Sequence, residues 1–235
     1  MFILNWLSHF GRYLQLMGRT FAIPQRWHMF LRSYRLEMVQ LGINSIGIVL
    51  LISFFIGAVI CIQIKVNIQS AWMPRFVTGY VTREILLLEF SSSIMCLILA
   101  GKVGSNIASE LGTMRVTQQI DALEIMGLLT MIPLLTTFSI FAGIIGAYCC
   151  AWIGGIINQT DLTFGLQYSF KEWFVWCGII KSFFFAFIIA SVSSYWGYNV
   201  EGGSVEVGRA STSAVVSSSV LVLFSAMFLT QMLTK

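Results

Sequence analysis

Residues 43–64 read INSIGIVLLISFFIGAVICIQI and contain no charged side chain. A helix that crosses the hydrocarbon core of a bilayer needs about 20 mainly apolar residues. This stretch therefore predicts a transmembrane helix. The composition of the whole chain fits the same environment, because 57% of its 235 residues are hydrophobic and only 10% are charged, whereas soluble domains carry about 25% charged residues.

Four further apolar stretches follow the first. They are Ile85 to Gly101, which needs an earlier start to reach full length, Ile125 to Thr160, Trp173 to Val200, and Ala210 to Thr234. The third is longer than one straight span requires, and the pair Gly154-Gly155 marks its predicted break. We therefore expect an all-α integral membrane protein whose residues 41–235 form one domain of five spanning helices.

Residues 1–40 differ from the rest of the chain. Apolar side chains recur at helical spacing from Ile3 to Met17, and polar side chains occupy the opposite side. This pattern predicts an amphipathic helix that lies in the membrane interface. Five arginines precede the first span, which predicts a cytoplasmic N-terminus and, after five crossings, a C-terminus on the outer side.

The spacing of the cysteines and histidines does not indicate a metal site or a catalytic site. The five cysteines lie inside apolar stretches without a CxxC spacing, and the two histidines lie near the N-terminus. Buried cysteines of this kind usually act as small hydrophobic side chains. We therefore expect no metal site, no cofactor and no catalytic residue, and the modest net charge of +4 indicates no nucleic-acid partner.

The stretch LILAGKVGSNIASELGTMRVTQQIDALEIMG, residues 97–127, contains a Gly-Lys pair like that of a phosphate-binding loop. Such a loop reads G-x-x-x-x-G-K-[ST]. Here Cys96 stands where the first glycine belongs, and Val103 replaces the hydroxyl residue. ATP binding by this chain is therefore not expected.

A different pattern explains the small residues of this stretch. They recur every four residues, which lets another helix approach closely, at Ala100, Gly104, Ala108 and Gly112. The residues after them are amphipathic, and segment 102–127 falls on the cytoplasmic side. It is either a solvated loop that contains a helix or a docking helix for a soluble partner, whose polar candidates are Glu110, Arg115, Asp121 and Glu124.

These residues carry a family resemblance. AGKVGSNIASELGTMRVTQQIDALEIMG (100–127) closely resembles the signature of the MlaE-type permeases, the membrane subunits of ABC transporters that work with MCE proteins. EFSSSIMCLILAGK before it and the C-terminal stretch that begins with IIKSFFFAF resemble the same family. The chain departs from the family pattern at Ala226, where many members carry an aspartate, and after Gly127, where a connecting stretch is shorter.

The resemblance implies a homodimer in the bacterial inner membrane. It implies a separate cytoplasmic ATPase that docks on segment 105–126, with the coupling helix between the second and third spans. It also implies an MCE-domain protein on the outer side, and phospholipid or a related lipid that passes through a cavity between the two copies.

Two charged residues lie inside predicted spans, where charge is costly and usually faces a cavity or a partner. Glu89 matches the membrane glutamate of the family, which lines the lipid cavity. It is either a polar contact on the lipid path or a structural carboxylate paired with Lys181 or a serine. Lys181 is interpreted as a structural charge that pairs or reaches the surface, while Arg83 and Glu84 either contact a lipid headgroup or anchor the span at the interface.

The predicted function is the non-catalytic permease subunit of a lipid-transporting ABC complex. The alternatives are an ion-coupled secondary transporter or channel, and an intramembrane enzyme. Secondary transporters and channels often show internal repeats and charged residues that relay ions across the membrane. An intramembrane enzyme needs a nucleophile and a base close together. The sequence shows neither pattern.

Overall fold

The computed structural model of the chain describes residues 11, 13, 38–68, 73–116, 125–155 and 157–234. Within these ranges the regular elements are helices, and no strand occurs. A π-helical turn, Met38–Ile43, leads into the first helix. The helices are α1 (Asn44–Asn67), α2 (Val77–Val116), α3 (Ile125–Gly154), α4 (Gln159–Gln167), α5 (Glu172–Tyr198) and α6 (Ser204–Leu233).

Five of these helices are long and apolar enough to cross a membrane, namely all except the nine-residue α4. The prediction of an all-α protein with five spanning helices is confirmed. Helix α3 ends at Gly154, where the glycine pair predicted a break, and Gly155 has a positive φ of 56°. Helix α3 begins at Ile125, so the end of the DALEIMG motif already belongs to its first turn.

Helix α2 is longer than a single crossing needs. At 1.5 Å per residue its 40 residues extend for about 60 Å, twice the thickness of the hydrocarbon core. Two stretches within it, Leu86–Ile94 and Ala100–Gly104, are wound as π-helix. Such winding is rare, often occurs at functional sites, and turns the side chains that follow to a different direction.

The bundle has two ends, which we call the amino end, where α1 begins, and the carboxyl end, where α6 ends. Helices α2 and α5 are the most buried spans, and α1 and α6 expose most of their apolar side chains. Large buried residues of α2, α3 and α5 fill the core of the bundle, among them Phe90, Leu99, Ile132 and Phe185.

Helices α1 and α3 run parallel and touch through their backbones. A Cβ atom added to Gly57 would collide with the carbonyl oxygen of Gly143, and one added to Gly146 would collide with that of Phe54. Small residues permit this approach, and in lipid such close packing is a main source of helix association. A hydrogen bond of 2.8 Å between the Ser53 and Ser139 hydroxyls lies in the same interface.

The predicted interfacial helix of residues 1–40 lies almost wholly outside the described residues. Of residues 1–40, the structure describes 38–40, which belong to the π-helical turn, and Gly11 and Tyr13, which are α-helical. The Tyr13 hydroxyl donates a hydrogen bond to the Ser191 hydroxyl at 2.9 Å, and its ring meets that of Tyr195 edge-on at 6.0 Å. Tyr13 therefore lies against α5 near the amino end of the bundle.

Candidate functional site

A polar cluster joins three spanning helices: Glu89 of α2, Lys181 of α5 and Thr230 of α6. The Lys181 ammonium donates to the Leu88 carbonyl at 2.7 Å, to the Thr230 hydroxyl at 2.8 Å and to Glu89 Oε1 at 3.3 Å. The Thr230 hydroxyl donates to the same Glu89 Oε1 at 2.9 Å, and the Ala226 carbonyl at 2.8 Å is its alternative acceptor. The cluster therefore fixes one carboxylate oxygen of Glu89 from two sides.

The two charged members of this cluster differ in burial. The Lys181 side chain is 1% exposed, whereas that of Glu89 is 47% exposed. An ammonium group has three hydrogens, and each one of Lys181 has an acceptor, so the buried charge is fully compensated. The pairing of Glu89 with Lys181 that the sequence offered as one interpretation is present, and Lys181 does not reach the surface.

Glu89 also faces a groove between α1 and α2. The groove has a volume of about 470 Å³, within the range of small-molecule sites. In the part of the chain that the structure describes, the donor that contacts Glu89 Oε2 is the Ser93 hydroxyl, at the longer distance of 3.4 Å. The lining residues are Ile56, Val59, Ile60, Gln63, Ile64, Asn67, Ile85, Glu89, Phe90 and Ile94. A single half-exposed carboxylate therefore stands in a largely apolar groove.

Thr230 is the member of the cluster that sequence reasoning missed. A lone threonine near the end of an apolar helix carries no charge signal. The family resemblance predicted an aspartate one turn earlier, where this chain has Ala226. Residues four apart share a helix face, so this departure falls on the face that carries Thr230.

Arg83 and Glu84 lie apart from the groove. Arg83 is 2% exposed, and its Nη1 donates to the carbonyls of Leu166 and Tyr168 at 2.8 and 2.9 Å. Its Nη2 pairs with Glu84 at 2.8 Å, and its guanidinium lies 5.0 Å from the centre of the Tyr80 ring. Arg83 thus holds the C-terminal end of α4 against α2.

Helix α4 was not predicted from the sequence. It is short and carries both polar and apolar residues, so its own periodicity is weak. Its place is decided by contacts with α2, since a Cβ added to Gly79 would lie 2.6 Å from the Leu162 carbonyl oxygen.

We expect Arg83→Met to loosen this end of the bundle without affecting the groove. The change removes two hydrogen bonds from a charged donor, which are worth about 2 kcal/mol after solvent compensation. Amide hydrogen exchange in α4 should become about thirtyfold faster. The control is Arg75→Met, an exposed arginine at the same end, and equal exchange rates in the two variants would contradict the role assigned to Arg83.

The four-residue ladder of α2 packs against its neighbours at the amino half of the bundle. A Cβ added to Gly104 would lie 2.9 Å from the Ser193 hydroxyl of α5, and one added to Gly112 would lie 3.2 Å from Val207 of α6. Gly101, outside the ladder, has no atom within 4 Å of such a Cβ. Ala100 and Ala108 of the ladder are also fully buried.

Two of the four proposed docking residues are described, and both lie on the last turns of α2. Glu110 is half-buried, and Arg115 is exposed, with its guanidinium 5.0 Å from the centre of the Tyr198 ring at the end of α5. Asp121 and Glu124 lie outside the described residues. The amino end also holds an open cavity of about 410 Å³ with polar walls, which include Glu201, Glu206 and Arg209.

Comparison with known sequences assigns the chain to a family. The sequence model described as Permease MlaE matches residues 35–232. A probable ABC transporter permease protein of Rickettsia bellii is 34% identical over 215 residues, which cover 85% of this chain and 82% of the relative. A probable ABC transporter permease protein of Synechocystis sp. is 29% identical over 238 residues, 95% of this chain and 90% of the relative.

A plant protein is also similar to the chain. Protein TRIGALACTOSYLDIACYLGLYCEROL 1, chloroplastic, of Arabidopsis thaliana is 29% identical over 197 residues, which cover 77% of this chain and 56% of the relative. The resemblance seen in residues 100–127 is confirmed across nearly the whole chain. The chain belongs to the MlaE permease family, and its two bacterial relatives named above are probable ABC transporter permeases.

Proposed function

We propose that this permease moves phospholipid or a related lipid between membranes, and that the groove beside Glu89 is part of the lipid path. The observation that carries the proposal is one half-exposed carboxylate in a largely apolar groove inside a spanning bundle. A lipid is amphiphilic, so its path needs apolar walls for acyl chains and a polar contact for the headgroup. The plant relative, which bears the name of a galactolipid, supports a lipid cargo.

The energy for transport is proposed to come from a separate ATPase subunit. Gly101 and Lys102 lie within the continuous helix α2, and the Lys102 ammonium donates to the Asn44 carbonyl at 2.7 Å. A phosphate loop instead needs free backbone N–H groups in a turn. The family of ABC transporter permeases supports an ATPase partner.

The docking site for this ATPase is proposed at the amino end of the bundle. Helix α2 extends there with Glu110 and Arg115 on its last turns, and Asp121 and Glu124 follow in the chain. A soluble partner needs a polar surface on the membrane protein, and the cavity lined by Glu201, Glu206 and Arg209 adds charged groups at the same end.

The remaining partners and the orientation are also proposals. Helices α1 and α6 expose apolar side chains, which are suited to lipid or to a second copy of the chain in a homodimer. The arginines before α1 favour an amino end on the cytoplasmic side of a bacterial inner membrane. An MCE-domain protein would then contact the carboxyl end on the outer side.

The test is lipid transfer by the complex purified from native membranes, with its co-purifying proteins and lipids identified by mass spectrometry. Glu89→Ala should lower ATP-dependent lipid transfer about tenfold per folded molecule, because one charge-assisted contact is lost. Transfer is normalised to the amount of folded protein, since the variant leaves the buried Lys181 ammonium without its counter-charge. The control is Glu172→Ala, an exposed carboxylate at the carboxyl end. Recovery of an active complex without any ATPase would contradict the proposal and favour a secondary transporter or channel.

A further inference from the structure

The polar side chains that line the groove are acidic or neutral. Gln63 and Asn67 lie on the last turns of α1, and Glu89 lies across from them on α2. None of the described residues that line this groove is basic. The groove therefore presents a carboxylate and two amides, and no cation, to a molecule that enters it.

Lys181 does not add an accessible positive charge to the groove, although it lies beside Glu89. Its ammonium has acceptors for all three hydrogens, and its side chain is 1% exposed. A phosphate in the groove would have to displace the Leu88 carbonyl or the Thr230 hydroxyl to reach it. The charge of Lys181 is thus committed to the inside of the bundle.

Glu89 instead has one oxygen available to the groove. Oε1 accepts hydrogen bonds from Lys181 and Thr230, and among the described residues Oε2 has only the long contact of 3.4 Å with Ser93. Hydrogen bonds between two ionised groups are about twice as strong as neutral ones, and they strengthen further in a site of low dielectric constant. An ammonium donor is therefore the partner that Oε2 favours most.

We propose that this groove selects lipids whose headgroup carries a primary ammonium, such as phosphatidylethanolamine, with Glu89 Oε2 as the acceptor. The proposal rests on the lipid path proposed above and adds a substrate class to it. Thr230 and Lys181 are positioning residues, because they hold Oε1 and thereby direct Oε2 to the groove. An anionic headgroup without an ammonium meets a carboxylate and no available cation here, so it should bind more weakly.

The experiment compares lipids that differ in the headgroup alone. The full chain, reconstituted in nanodiscs, is exposed to photoreactive phosphatidylethanolamine, phosphatidylcholine or phosphatidylglycerol with identical acyl chains, and crosslinks are mapped to peptides by mass spectrometry. Phosphatidylcholine is zwitterionic but has no N–H, so it isolates the hydrogen bond. Crosslinks to 56–67 and 85–94 should be about tenfold more frequent with phosphatidylethanolamine than with either other lipid.

Variants then locate the preference. Glu89→Gln should abolish the preference while crosslinks to the groove persist, and Thr230→Val should weaken it. The control Glu172→Gln should retain it, since that carboxylate lies outside the groove. Retention of the full preference in Glu89→Gln would overturn the role of this carboxylate.

Crosslinking of the different lipids to the wild-type protein tests the headgroup proposal without any variant, so the test does not depend on whether a variant folds. Equal crosslinking of phosphatidylethanolamine and phosphatidylcholine would overturn the headgroup proposal and leave the lipid path intact. Equal crosslinking of a neutral galactolipid would likewise show that hydroxyl donors suffice and that no ammonium is required. If no lipid crosslinked to the groove, the proposed lipid path itself would be wrong.

Discussion

Lys181→Met is expected to lower the free energy of unfolding by about 3 kcal/mol, because it removes the buried charged donor of three hydrogen bonds. The variant keeps the length and apolar stem of the side chain but removes the ammonium. Glu89, Thr230 and the Leu88 carbonyl then lose the donor that joins them inside the bundle. The measurement is thermal or denaturant unfolding of the purified chain in detergent.

Two controls separate this effect from loss of charge in general. Lys171→Met removes an exposed lysine just before α5, whose ammonium lies 5.4 Å from the centre of the Phe174 ring, and should change stability by less than about 1 kcal/mol. The double variant Lys181→Met with Glu89→Gln removes both charges and should recover only part of the lost stability, because the carboxylate that the single variant leaves unpaired is half-exposed. A single variant as stable as wild type would show that the cluster contributes nothing to the fold.

Gly57→Leu is expected to cost at least about 3 kcal/mol, which is the upper range for overpacking of a close interface. The added Cβ would collide with the backbone of Gly143, and a backbone cannot move aside as a flexible side chain can. Helices α1 and α3 would have to separate, and the hydrogen bond between Ser53 and Ser139 would be lost. The groove beside Glu89 should widen, because α1 forms one of its walls.

The matched control is Gly47→Leu, on the same helix. An added Cβ there has no neighbour within 4 Å, and the residue is exposed. Leucine is also a better helix former than glycine, so this variant should be as stable as wild type or slightly more stable. Both variants can be compared by unfolding in detergent, and equal stability of the two would refute the close contact between α1 and α3.

Much of the candidate site could be predicted from the sequence because charge in an apolar span is conspicuous. Glu89 and Lys181 are the charged residues of their predicted stretches, and the cost of burying a charge indicates that each needs a partner. The structure adds the third member, Thr230, and shows that Glu89 faces a groove while Lys181 does not. An uncharged hydroxyl carries too small a burial cost to be recognised in sequence.

The role of Arg83 could not be predicted from its charge and position. Its position at the start of a span is equally suited to a lipid headgroup and to an interfacial anchor. In the structure Arg83 donates hydrogen bonds to the carbonyls of Leu166 and Tyr168, at the C-terminal end of the unpredicted helix α4. A contact between residues more than eighty positions apart leaves no local pattern in the chain.

The sequence by itself determined the number of spanning helices, their approximate bounds and the family. Hydrophobic transfer energy adds up along a segment, so a stretch such as 43–64 specifies its membrane location without reference to the rest of the chain. Tertiary structure alone decided which face of each helix meets which partner. Gly47 and Gly57 illustrate the difference, because rotation about the axis of α1 places one in open space and the other against the backbone of α3.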